Sequence, residues 1–290
     1  MKLFDLHCDT LCAAYDRGES FSHNSCQVSL DKAFSVFDEY RQVTAVWSRD
    51  DLDGDECYRR FDRVVNKVFP TASHENFTPI LSVEGGKLLC GDISRLDHLY
   101  RRGVRVFTPV WAGHCCIGGA WDTDEGLTGF GYSVIERCCD LGIIPDVSHA
   151  SDRMFYEIAE IAGKRGGTVI ASHSCSRAVF DHRRNLTDDM ARTVSELGGV
   201  IGVNLVVPHL GLPDISAVIN HISHLAGVAG EDSICLGCDL DGTDALPDGI
   251  NDISDLPAIH GLLSDNKYPR GFADKVFYSN ARNFFEKHDL

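Results

Sequence analysis

Positive charge is scarce in this chain: 27 lysines and arginines stand against 43 aspartates and glutamates, a formal net charge of −16 over 290 residues. Phosphate backbones are bound by clustered cations, and no such cluster occurs, so nucleic acid is excluded as a partner. Long apolar runs are also missing. Nothing approaches the ~18 consecutive apolar residues of a membrane-spanning helix. The segment Met1-Lys2-Leu3-Phe4-Asp5-Leu6-His7 carries no secretory signature, and Phe284-Phe285-Glu286-Lys287-His288-Asp289-Leu290 carries no lipid-anchor tail. A cytoplasmic enzyme with no membrane partner is the expectation. No Pro/Ser-rich linker, charge block or low-complexity segment divides the chain, so a single domain over residues 1–290 is expected.

A second C-x-x-C to match Cys235-Leu236-Gly237-Cys238 is absent as well. Structural zinc usually needs two such knuckles or added histidines at fixed spacing. Most of the twelve cysteines lie in apolar stretches such as Ser233-Ile234-Cys235-Leu236, and they read as reduced core residues.

What the chain does have is a recurring pattern of short Val/Ile-rich runs separated by helix-like segments. Eight runs read as strands: residues 2–7, 43–48, 79–84, 104–110, 143–149, 168–173, 199–204 and 233–239. Helical patterns over 55–68, 94–102, 131–140, 151–162, 187–197 and 215–226 fall between them, most ending at a glycine, a common helix stop. Nearly continuous apolar strands alternating with helices predict a parallel sheet covered by helices. Eight such units in one undivided chain predict an α/β fold, a (β/α)8 TIM-like barrel. An open doubly wound sheet is the alternative, but no Gly-x-Gly-x-x-Gly follows the first strand.

Polar residues close these runs. His7 and Asp9 follow the first, Glu84 ends the third, His149 the fifth, His173 the sixth and Asp239 the eighth. On a period-2 strand, His7 and Asp9 share a face. In a barrel the C-terminal strand ends meet at one mouth, where active sites are built. Any one of these residues has an ordinary reading as a strand-end cap or a satisfied core histidine; six at the same end of successive strands do not. All six are common zinc ligand types, and they exceed what one tetrahedral ion requires. A binuclear site with Glu84 as the bridging carboxylate accounts for the surplus. Two such cations, ~3.5–4 Å apart, supply a hydroxide at neutral pH and polarise a carbonyl.

Several motifs carry a family resemblance: Asp5-Leu6-His7-Cys8-Asp9, Ser82-Val83-Glu84-Gly85, Gly126-Leu127-Thr128-Gly129-Phe130-Gly131, Asp146-Val147-Ser148-His149-Ala150-Ser151, Ser172-His173-Ser174, Arg183-Arg184-Asn185-Leu186-Thr187-Asp188-Asp189 and Gly237-Cys238-Asp239-Leu240-Asp241-Gly242. Their order and spacing resemble the membrane (renal) dipeptidase family of the metal-dependent amidohydrolase superfamily. The resemblance implies two zinc ions, one on His7, Asp9 and Glu84 and the other on Glu84, His149 and His173. It implies that Asp239 takes the proton from the bridging water and passes it to the leaving amine. Arg184 matches the arginine that pairs with the substrate's C-terminal carboxylate, a role suited to a guanidinium fork. Where family members from animals carry a substrate-contacting histidine, this chain has Trp111, with His114 three residues later. Both are candidate substrate contacts. The implied activity is hydrolysis of small dipeptides, with tolerance of a D-residue on the C-terminal side; a homodimer is the expected assembly. The alternatives are another amidohydrolase reaction on the same metal pair (deamination, lactone or phosphoester cleavage) and a non-catalytic binding protein.

Overall fold

The computed structural model describes residues 1–265 and 267–290. Its strands are β1 (Lys2–Cys8), β2 (Glu39–Trp47), β3 (Phe77–Glu84), β4 (Val104–Thr108), β5 (Ile144–Pro145), β6 (Ile201–Val203) and β7 (Ile234–Leu236). Helices α1 (Thr10–Arg17) and α2 (Leu30–Phe34) lead to β2, α3 (Gly54–Lys67) to β3, α4 (Ile93–Arg101) to β4 and α5 (Gly129–Leu141) to β5. Next come α6 (Asp152–Lys164) and α7 (Asp188–Glu196) before β6, and α8 (Val207–Leu210) and α9 (Ile215–Ala229) before β7. The chain then runs through α10 (Pro257–Leu263), α11 (Phe272–Asp274) and α12 (Asn280–Lys287). All strand pairs are parallel, in the order β5-β4-β3-β2-β1-β7-β6.

The two edges of this order, β5 and β6, are joined through the sixth run of the sequence. Asp146 bridges Ile170 and Ala171 bridges Ile201, both in parallel. The amides of Val147 and Gly202 donate to the carbonyls of Ile170 and Ala171 at 2.8 Å each. The expected strand over 168–173 is thus present only as isolated bridges, and the expected strand over 143–149 shrinks to two residues. The cause is the buried Asp146 carboxylate, whose Oδ1 accepts the amides of Ser148 (3.0 Å) and Ser172 (2.9 Å). A side chain that takes up backbone donors in this way replaces ladder bonds.

Closure shows in the core. One apolar cluster takes a residue from each of eight segments around the barrel, Phe4, Val43, Ile80, Val106, Ile144, Ile170, Val200 and Cys235, and joins them to Tyr278, Ala281, Phe284 and Phe285 near the C-terminus. Side chains from eight successive segments meet this way only on the barrel axis. Phe285 stacks on Phe4 with ring centroids 5.0 Å apart. Closure also needs two glycines. A Cβ on Gly237 or Gly202 would lie 1.8 or 2.0 Å from the carbonyl oxygen of Ser172.

Helices α2 to α7 and α9 each start at a Ser, Thr or Asp whose side chain accepts an amide of the first turn. Helix α1 differs: Asp9, a residue type suited to capping, occupies the cap position but makes no cap bond. All twelve cysteines are free thiols; eight are buried, and Cys90 is exposed. Among the described residues no helix is long and apolar enough to cross a membrane.

Candidate metal centre

Leu6 belongs to the axial cluster with Phe4, so on an uninterrupted strand His7 would point away from the barrel axis. Strand β1 is interrupted. Asp5 pairs with Gln42 and Cys8 with Thr44, which leaves one extra residue on β1 between the two pairs. This β-bulge re-aims His7, a common use of bulges beside active sites. Asp9 has left the strand altogether and takes its position from the start of α1. The two residues do converge, with His7 Nε2 3.5 Å from Asp9 Oδ2. They do so through a bulge and a helix start rather than the simple strand alternation expected from sequence.

Around them the strand ends complete the set. Glu84, the last residue of β3, directs its two oxygens to different neighbours. Oε2 lies 3.8 Å from His7 Nε2, whereas Oε1 lies 2.9 Å from His149 Nε2 and 3.3 Å from His173 Nε2. Asp239 Oδ1 is 3.8 Å from His7 Nε2. Ligand atoms within mutual reach of one ion form three overlapping groups: His7, Asp9 and Glu84; Glu84, His149 and His173; and His7, His173 and Asp239. All six residues are buried.

The donor chemistry fits a cation. His149 Nδ1 lies 2.9 Å from the carbonyl oxygen of Trp111, which can only accept, so Nδ1 carries the proton and Nε2 is bare. His173 Nδ1 lies 2.7 Å from Ser172 Oγ, whose own proton goes to Asp146 Oδ2 at 2.6 Å, so His173 Nε2 is bare too. Two unprotonated nitrogens therefore face each other at 2.8 Å beside a carboxylate oxygen. Such a contact is repulsive without a positive charge next to it. His7 Nε2 and Asp9 Oδ1 are buried with no hydrogen-bond partner, as metal ligands are before an ion arrives.

Without a cation the cluster is electrostatically strained. Burial, then the Asp9 carboxylate, push Glu84 well above the usual carboxylate range. Burial also raises Asp239 to about 7, with His7 opposing and Asp9 adding to the rise. For His7 burial acts downward, but Glu84, Asp9 and Asp239 outweigh it and lift it to about 10. Burial holds His149 and His173 neutral, and the charges of Arg184 and His7 reinforce this. Backbone strain marks the same place: His149, Asp239 and Asp241 sit at φ +68°, +60° and +65°.

A cavity of about 190 Å³ opens onto this cluster, bounded by Asp9, Glu84, Asp239, Asp241 and Gly242 on one side and Cys12, Ala13, Asp16, Trp47 and Trp111 on the other. It is smaller than the ~300–1,000 Å³ typical of drug-sized ligands, so it suits a small molecule. Trp47 and Trp111 form one wall with ring centroids 5.0 Å apart. Arg60 grips Asp16 with two bonds of 2.8 and 2.9 Å. Arg184 does not line this cavity. It is buried against the His173–Ser174 segment, its Nη2 bonded to His173 O and its Nη1 to Ser174 Oγ, both at 2.9 Å. His114 stands apart from the ligand cluster: it is exposed, paired with Glu125, and lines a neighbouring cavity that shares Trp111.

Sequence reasoning missed the residues that hold the ligands in place. Asp241 accepts Thr10 Oγ1 and the Gln27 amide at 2.6 Å and the Val28 amide at 3.2 Å, fixing the loop that carries Asp239. Asp5 accepts the Cys238 amide at 2.7 Å and Gln42 Nε2 at 2.9 Å. The signal for Asp241 was its place in Asp239-Leu240-Asp241-Gly242. Nothing in the sequence marked Gln27 or Gln42.

A family model for membrane dipeptidases, peptidase family M19, matches residues 58–287. The chain belongs to the membrane dipeptidase family. That makes it a member of a metal-dependent peptidase family. The matched stretch includes Glu84, His149, His173, Arg184 and Asp239; His7 and Asp9 precede it and are tied to the site by geometry. Human Dipeptidase 3 is 33% identical over 206 residues, 66% of this chain and 41% of the human protein. The match thus spans about two fifths of that relative. An uncharacterised Klebsiella pneumoniae protein from the pqqA 5′ region is 32% identical over 216 residues, covering 69% of this chain and 78% of that protein. Among solved structures, a metallo peptidase from Rhodobacter sphaeroides, liganded with a phosphinate mimic of L-Ala-D-Ala, superposes with a TM-score of 0.85 at 21% identity over 99% of both chains. Dipeptidase AC, a metallo peptidase of family M19, gives 0.86 at 22% identity over 99% of this chain and 98% of its own. At these identities the likeness is one of fold, and the fold is the TIM-like barrel.

Proposed function

We propose that this chain is a single-domain cytoplasmic dipeptidase that holds two zinc ions and hydrolyses the amide bond of small dipeptides, accepting a D-residue on the C-terminal side. His7, Asp9 and Glu84 hold one ion; Glu84, His149 and His173 hold the other. The observation that carries this reading is the division of Glu84, with one oxygen toward His7 and the other toward the His149–His173 pair. When bound, the metal lowers the pKa of a water from about 15.7 to roughly 7 and polarises a carbonyl.

The chain's own groups do the rest. Asp239 borders the cavity beside His7, where its carboxylate takes the proton of the attacking water and delivers it to the departing amine. Arg184, outside the cavity lining but bonded to His173 O and Ser174 Oγ, supplies a fixed positive charge that attracts the substrate's carboxylate. Trp111, with its carbonyl on His149 and its ring in the cavity wall, both orients a ligand and shields the site from water. Elemental analysis of the purified protein, with a dipeptide panel that includes D-residues, tests the reading. Near two zinc per chain and hydrolysis that disappears on chelation are expected; full activity in metal-free protein overturns it.

A further inference from the structure

The two imidazoles of the second ion site are held by different kinds of partner. His149 Nδ1 meets the carbonyl oxygen of Trp111, which only accepts, so the ring proton has one place to go. His173 Nδ1 meets the hydroxyl of Ser172, which can accept a proton or give one. Which of these Ser172 does is decided one residue further out, at Asp146. None of the steps above uses that residue.

Asp146 is buried. Its Oδ1 accepts the amides of Ser148 and Ser172 at 3.0 and 2.9 Å. Its Oδ2 accepts the hydroxyls of Thr108 and Ser172, both at 2.6 Å. These four donors occupy the roughly four lone-pair sites of a carboxylate. With its own proton committed to Oδ2, Ser172 Oγ can only accept from His173, so Nδ1 keeps the ring proton and Nε2 stays bare. The neighbouring hydroxyl of Ser148, at 3.4 Å, is a weaker partner for Ser172.

A side-chain amide at position 146 would reverse this order. The two backbone N–H groups at Oδ1 require an oxygen there, which turns the NH2 group toward Thr108 and Ser172. Ser172 Oγ would then accept from the amide and give its proton to His173 Nδ1. The ring proton would move to Nε2, 2.8 Å from the bare Nε2 of His149. The two histidines would bond to each other in the place of an ion.

We propose that Asp146 is a positioning residue that fixes the tautomer of His173 through Ser172 and so keeps the His149–His173 site open to a cation. This rests on the two-ion reading of the cluster. It concerns one site of the two, since among the described residues Asp146 makes no hydrogen bond to His7, Asp9 or Glu84.

The test reads the nitrogen chemical shifts of isotope-labelled histidine in metal-free protein, with the His173 signals identified by their loss in His173→Gln. The wild type is expected to carry the His173 proton on Nδ1, and Asp146→Asn to carry it on Nε2. Thr108→Val removes a donor to the same oxygen but spares the Ser172 bond, and is expected to keep the wild-type tautomer and zinc affinity. In zinc titrations Asp146→Asn is expected to bind one ion as the wild type does and the other about 10–100-fold more weakly. A wild-type His173 protonated on Nε2 overturns the proposal without any variant. So does Asp146→Asn with an unchanged tautomer or with both zinc affinities unchanged. A wild type that takes up only one zinc defeats the two-ion reading, while the tautomer comparison still decides what Asp146 does.

Discussion

A carboxylate whose two oxygens serve different partners cannot be replaced by a group with one acceptor, and Glu84 is in that position. Glu84→Gln is expected to lower zinc content below two per chain and zinc affinity at least about a hundredfold, read by elemental analysis and competitive titration. Asp239 is a different case, since its proposed work is proton transfer. Asp239→Asn is expected to leave zinc content near that of the wild type while kcat falls by about 10²–10⁴. A variant that keeps full kcat removes Asp239 from the mechanism. Gly242 is the least obvious of the sensitive residues. A Cβ there would lie 2.2 Å from Asp239 Oδ1 and 2.6 Å from Asp9 Oδ2, so Gly242→Ala should displace both carboxylates and depress zinc binding as well as turnover.

At the scale of elements, the barrel depends on close approach between the 168–173 segment, β6 and β7. Gly237→Ala would set a methyl against Ser172 O at 1.8 Å, a backbone atom that cannot swing away. A loss of about 3 kcal/mol in denaturant unfolding is expected; a neutral result would show that the closing segment has room to move. Helix boundaries were legible only where the signal is local and strong: Thr187 caps α7 and Gly142 stops α5, whereas α6 and α9 run through Gly163 and Gly227, the glycines that follow the expected 151–162 and 215–226. The end of β3 at Glu84 was legible for the same reason, but β5 and β7 stop at Pro145 and Leu236, short of the expected ends at His149 and Asp239. The route by which His7 and Asp9 reach the ions was not legible, since a one-residue bulge depends on pairing with β2. The missing sixth strand was hidden likewise, because it follows from Asp146 accepting an amide 26 residues away. Asp9 shows how position and role can part: it stands where a helix cap stands, yet its Oδ1 is left without a bond.

For the whole molecule, the buried charges link stability to pH and to metal. Asp239 rises from 3.8 to about 7 and His7 from 6.5 to about 10 in the folded, metal-free protein. A raised pKa stabilises the fold below the unfolded value, and that contribution is lost as pH climbs through the folded one. His149 and His173, kept neutral by burial, act in the opposite sense below about 6.5, so the net decline is clearest above that pH. Thermal melts of chelated protein from pH 6.5 to 9 should show a falling Tm, while the gain from added zinc grows, because its ligands must be deprotonated. A flat metal-free profile contradicts this account. The left-handed backbone at His149, Asp239 and Asp241 has a consequence for engineering. Such residues cost of order 1–3 kcal/mol each, so a search for thermostable variants is drawn to glycine at these three positions. Each such replacement would remove a ligand, the proton carrier or the brace of its loop. Selection for thermal endurance alone would therefore lead this barrel toward a sturdier protein that no longer works.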